Sequence, residues 1–220
     1  MNDSAPVITL IAVAVSSVVI GFFLQRMLWR HLPRLSGAPT PSFRNDVGAG
    51  MVTCILVTTV MAEGGVSWLS LAHSCFAIVA VPLSFIDSRL RILPNSLLLP
   101  FSLIASGLLG ISAAVEGEWE NFGRSLLGAA VLFLVYLCLA VISPAGLGMG
   151  DVKLSAVVGL YLAYQGWAWL LIGAAAGFFL GAISGLALLL VRRAHLKSAI
   201  PFGPSMLGGA LITLFLSAMN

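Results

Sequence analysis

Apolar runs follow one another along this chain with little between them, at about residues 7–25, 47–62, 66–86, 95–115, 124–142, 151–164, 167–191 and 199–218. A helix needs ~20 consecutive apolar residues to cross a hydrocarbon core. In lipid a spanning segment must also satisfy its backbone groups internally. The runs therefore predict an all-α fold, a polytopic membrane helix bundle of about eight transmembrane helices. The spans at 47–62 and 151–164 are short. Of the 220 residues, 60% are hydrophobic and only 9% charged. No separate soluble domain of ordinary size fits between the runs, so residues 1–220 are expected to form a single integral-membrane domain.

The first run, "VITLIAVAVSSVVIGFFL", has an acidic rather than a basic leading end and no small-residue cleavage pattern after it, so it is expected to be a permanent span. The formal net charge of +3 does not imply nucleic acid as a partner, because the bases sit in short loops between spans. Arg26, Arg30, Arg34 and Arg44 follow the first span, Arg89 and Arg91 the third, and Arg192, Arg193 and Lys197 the seventh. Glu63, Glu116, Glu118 and Glu120 lie in the alternate loops, with Arg124 as a basic exception. The positive-inside rule then places the Arg-rich loops in the cytoplasm and both termini outside. Cys54, Cys75 and Cys138 are scattered, with no CxxC pair, and are expected to be buried free thiols rather than metal ligands. The glycines of "GAAAGFFLGAISG" in the seventh span, at spacings of four, are expected to let helices approach closely.

Two acids stand out under this threading. Asp87 ends "AHSCFAIVAVPLSFID" and Asp151 follows "SPAGLGMG", so both emerge on the cytoplasmic side, where the other acid is Asp46 in the polar loop "SGAPTPSFRNDVG". Either alone reads equally well as a solvated helix cap or as a functional group. Together, if the third and sixth spans are neighbours, they converge. Two carboxylates a few ångströms apart cannot both ionise easily, so one holds a proton while the other acts as a base. That is the water-activating arrangement of an aspartic peptidase. Pro94 ends the segment after Asp87, and Asn95 is placed to cap the next span. Gly148 and Gly150 permit positive backbone dihedrals and close approach, or serve as a flexible connector. Lys153, two residues past Asp151, cannot share its helix face and is assigned to loop or lipid-headgroup contact.

"GMGD" followed by "VKL" resembles the GxGDxKL motif of the type IV prepilin leader peptidases, a family of membrane-embedded aspartic peptidases. "DSRLRILPN" resembles that family's first catalytic segment, "GFFLQRMLWRHLP" its first-span ending GSFLNVVIYRLP, and "IPFGPSMLGGA" its last-span PFGPxLxxG. A lone GxGD is weak; these segments in the family's order, from the first span to the last, are specific. One part departs. Typical members carry after the first span an insert with two CxxC pairs, associated with zinc and with N-methylation of the product. Here residues 25–46 form a short cytoplasmic loop without cysteine, which suggests a short-form, peptidase-only member with neither structural zinc nor methylation supported.

The resemblance implies an aspartic endopeptidase of the bacterial inner membrane, serving type IV pili or type II secretion. Its partners would be prepilins or pseudopilins, whose basic leaders it removes at the cytoplasmic face. Asp87 and Asp151 would be the catalytic pair, with no cofactor or metal. Gly148 and Gly150 would let the substrate backbone come close, and Pro201, Phe202, Gly203 and Pro204 would shape the site, or form only a structural turn; Pro94, Asn95 and Lys153 are counted with them as candidate substrate-binding or site-shaping residues. A different class of reading uses the same acids in a small ion- or proton-coupled transporter. A third is a scaffold subunit of a pilus or secretion machine. The sequence does not fix the oligomeric state.

Overall fold

The computed structural model of the chain describes residues 4–31, 43–143, 146–190 and 201–219. Among these, every regular element is a helix: α1 (Ser4–His31), α2 (Phe43–Gly64), α3 (Trp68–Leu90), α4 (Asn95–Glu116), α5 (Trp119–Ile142), α6 (Met149–Gln165), α7 (Trp167–Leu190) and α8 (Gly203–Ala218). Six of them, α1 to α5 and α7, are long and apolar enough to cross a membrane. The other two, α6 and α8, have 17 and 16 residues. The second helix is 22 residues long, not a doubtful short span, because the polar lead "FRND" forms its first turn. Asp46, expected in a loop, therefore lies on α2, where an acid in the first turn suits the helix dipole. It is buried, with Arg26 of α1 at 3.8 Å.

The chain divides into two compact units, Met1–Phe85 and Ile86–Asn220. In the first, α1 packs along α2. Gly50 of α2 lies so close to α1 that a Cβ there would come within 2.9 Å of the Val18 carbonyl oxygen, and one on Gly21 would come as near to the Thr53 side chain.

In the second unit α6 is the central helix. It touches α4, α5, α7 and α8, and its residues from Val157 to Tyr164 are all buried. A helix that is apolar all round belongs in an interior. The helices around it instead turn Leu99, Leu103, Leu127, Leu171 and Phe179 outward, as lipid-facing spans do. Small residues set the approaches: Gly159 of α6 abuts the backbone of Gly128 on α5, and Gly173 of α7 abuts the Leu162 side chain. A Cβ on Gly177 would meet the Met206 Cα at 3.2 Å, and one on Gly181 the Phe202 ring at 2.8 Å, so the glycines of α7 pack as expected.

Arg124, the basic exception among acidic loops, has a structural job. Its Nε donates to the Ala163 carbonyl at 2.7 Å and an Nη to that of Tyr164 at 2.7 Å. These are last-turn carbonyls of α6, which a cation satisfies and complements. The three cysteines are free as expected, but none is buried: Cys54 and Cys75 are half-buried and Cys138 is exposed. The loop bases Arg34, Arg192, Arg193 and Lys197 lie outside the described residues.

Candidate active site

The second unit brings Asp87, Asp151 and the "PFGP" turn together. Helix α3 runs past Asp87 by one turn and ends at Leu90; Arg91 then takes the left-handed conformation (φ 53°) and its N–H donates to the Asp87 carbonyl at 2.9 Å. This closure holds Asp87 in the last turn, buried with 5% exposure. Its Oδ2 accepts a hydrogen bond from the Gly203 N–H at 3.1 Å. Gly203 is the first residue of α8, so an otherwise unpartnered N–H of a helix N-terminus meets a carboxylate.

Asp151 sits in the first turn of α6, at 9% exposure. Its Oδ2 accepts from the Gly148 N–H at 3.3 Å. This is the return half of a capping box; the forward half is missing because Gly148 has no side chain. The cap and functional readings of Asp151 are thus compatible, since the cap uses only one oxygen. Oδ1 is buried and has no hydrogen-bond partner among the described residues. A buried carboxylate oxygen in that state is costly unless a proton or water meets it. The Asp87 carboxylate is near enough for its charge to act on Asp151, and Arg91 near enough to act on Asp87.

The "PFGP" turn is anchored by its aromatic ring. Phe202 lies 6.0 Å from the Tyr136 ring of α5 and 5.3 Å from that of Phe178 of α7, distances typical of interacting aromatic pairs. Pro204 occupies the first turn of α8, where its missing N–H costs nothing. Pro201 precedes the helix and is half-buried.

Several expectations need correcting. Neither Gly148 nor Gly150 has a positive φ; Gly148 is extended at φ −79°, ψ 152°. Gly150 instead supplies close approach, since a Cβ there would lie 2.9 Å from the Leu93 Cβ. Asn95 does not cap α4. Pro94, extended at φ −69°, ψ 130°, is the N-cap, and Asn95 is the first helical residue. Lys153 lies on α6, as the span at 151–164 implies, and its Nζ donates to the Asn95 Oδ1 at 2.9 Å. Tyr136, fully buried beside Phe202 and close enough to Asp151 to feel its charge, escaped the sequence reading. Its one signal is a polar-tipped ring inside the apolar run "VLFLVYLCLA".

Residues 74–218, which hold both acids and the "PFGP" turn, match the model of the type IV leader peptidase family. The chain belongs to this family. It is 32% identical over 186 residues to a prepilin leader peptidase/N-methyltransferase of Aeromonas hydrophila, covering 82% of this chain and 61% of that protein. A protein of the same name from Aeromonas salmonicida (strain A449) is 34% identical over 159 residues, covering 70% of this chain and 52% of its own length. One from Bacillus subtilis (strain 168) is 29% identical over 167 residues, covering 74% and 63%. The chain thus spans between half and two thirds of these leader peptidases. No solved structure matches it.

Proposed function

We propose that the chain is an aspartic endopeptidase that removes the basic leader of type IV prepilins or pseudopilins, with Asp87 and Asp151 as its catalytic pair. The observation that carries this reading is the pair itself. Two buried carboxylates from distant parts of the sequence interact electrostatically, each with one oxygen tied to a backbone N–H, in a chain of the leader peptidase family. In the proposed step the ionised carboxylate takes a proton from a water held between the pair, and the hydroxyl oxygen attacks the scissile carbonyl carbon. The protonated partner gives its proton to the carbonyl oxygen. Collapse of the tetrahedral intermediate breaks the C–N bond, and the amine leaves with a proton returned from the pair. Gly203 holds Asp87 and Gly148 holds Asp151, so both acids enter the reaction already oriented.

The site is placed at the cytoplasmic face of a bacterial inner membrane, on the positive-inside argument. A basic leader would meet two acids there, and the apolar helix behind it would stay in the bilayer. The proposal extends to leader cleavage and not to N-methylation, since residues 25–46 contain no cysteine. The family and the relatives' names favour a peptidase over an ion- or proton-coupled transporter.

Purified protein incubated with a prepilin is expected to yield a product shortened by the leader, read by intact mass and without an added methyl group. In liposomes the same preparation is expected to pass no ions. Ion flux together with an uncut prepilin would overturn the assignment.

A further inference from the structure

The second unit carries a groove of about 460 Å³ between α4, α5 and α6, within the usual size range of small-ligand sites. Its walls are hydrocarbon, among them Leu99, Leu126, Phe133, Val157 and Leu160. Ser102 and Ser106 also line it, yet their hydroxyls donate to carbonyls of their own helix, at Leu99 and Ser102, both at 2.8 Å. The polar atoms of the wall are therefore already satisfied, and the groove offers little to a polar ligand along its length. One end differs. Where α4 and α6 begin, Asn95 and Lys153 line the groove, with the Lys153 Nζ bonded to the Asn95 Oδ1. That bond uses one of three ammonium N–H groups, and no carboxylate among the described residues forms an ion pair with Lys153.

An apolar groove ending in a cation that has no carboxylate partner among the described residues suits an amphiphile with an anionic head. The setting is membranous, since α4 and α5 are both candidate spans. The groove also faces away from the acids. On α6 it is lined by Lys153, Ala156, Val157 and Leu160, the i, i+3, i+4, i+7 stripe of one helix face. Asp151, two residues before Lys153, lies roughly 200° round the helix. A segment lying in the groove would therefore be held off the carboxylates, which a substrate must reach.

We propose that this groove binds one anionic phospholipid, its phosphate on Lys153 and Asn95 and an acyl chain along the α4–α5–α6 walls. It is a lipid site distinct from the carboxylate pair. A basic side chain at the membrane surface attracts anionic headgroups, and the groove adds the shape that makes the attraction specific.

The test is native mass spectrometry of the full chain in detergent, titrated with phosphatidylglycerol, with phosphatidylcholine of the same chains, and with glycerol phosphate, which has the head but no chains. One phosphatidylglycerol is expected to bind at least about tenfold more tightly than phosphatidylcholine, and glycerol phosphate not measurably. Lys153→Gln should bring the two lipids within about twofold, Lys153→Arg should keep the preference, and Ser106→Phe, which fills the groove, should weaken both. Equal binding of the two lipids by the wild type, or a preference that survives Lys153→Gln, would overturn the site. So would glycerol phosphate binding as tightly as the lipid, which would mean an anion site without a groove. Should Ser106→Phe keep lipid binding while prepilin cleavage falls, the groove would belong to the substrate instead. If Ser106→Phe fails to fold, the Gln and Arg variants of Lys153 still decide.

Discussion

Gly203 and Gly148 do the same thing for different acids, yet they differ in how much room they leave. A Cβ on Gly203 would lie 3.1 Å from the Asp87 Cγ and 2.7 Å from its Oδ2, the latter closer than a packed Cβ sits, so the carboxylate would have to move. A Cβ on Gly148 would rest 3.6 Å from the Asp151 Oδ2, an ordinary contact, and its backbone is one any residue adopts. Gly203→Ala is therefore expected to cut the cleavage rate by roughly a hundredfold, the scale of an ångström-sized misplacement of a reacting group, with the melting temperature little changed. Gly148→Ala should keep activity within a few-fold, although it is the first glycine of the GxGD motif. Side-by-side cleavage rates of the two variants check this, and equal losses would contradict the assignment of Gly203 to Asp87.

Among the helices, α6 matters most, because it carries Asp151 and is packed from several sides. Arg124 ties its far end to α5 through two carbonyls. Hydrogen bonds to a charged group contribute about 2 kcal/mol each, so Arg124→Ala, which removes two, is expected to lower the melting temperature in detergent by roughly 10 °C. An unchanged melting curve would remove Arg124 from the account of α6. The helices were legible because their signal is length: ~20 apolar residues mean one thing in a chain with so few charges. The two acids were legible for the same reason, as charges where charges are scarce. What failed was finer. Asn95 resembles a cap by residue type, but the cap position is set by backbone dihedrals, and the extended Pro94 takes it. Asp46 looked like loop because a polar lead and a helical first turn share the same composition. Tyr136 was missed because nothing local tells a tyrosine packed on Phe202 from one facing lipid. The small residues of α7 read correctly because close packing in lipid leaves a spacing in the sequence itself.

At the scale of the whole molecule, the charge pattern predicts which side each connection faces. Glu116 ends α4 and Glu118 lies in the α4–α5 connection, and Gly146–Gly148 precedes α6 beside the proposed site. In a variant without its native cysteines, Glu118→Cys is expected to react with an impermeant maleimide in intact cells, and Leu147→Cys only after permeabilisation. The reverse pattern would turn the protein over and put the acids on the wrong side for a cytoplasmic leader. The central claim is that Asp87 and Asp151, from different helices, act as one catalytic unit, and the most direct test is the cleavage rate of a prepilin by wild type, Asp87→Asn, Asp151→Asn and the double variant. Each single change is expected to lower the rate by at least about a thousandfold, within the range of general acid–base catalysis, with the protein still inserted and monodisperse. The double variant should be no worse than either, because residues that act as a unit are not additive. Full activity in either single variant, or a double loss equal to the product of the two, would contradict the shared site.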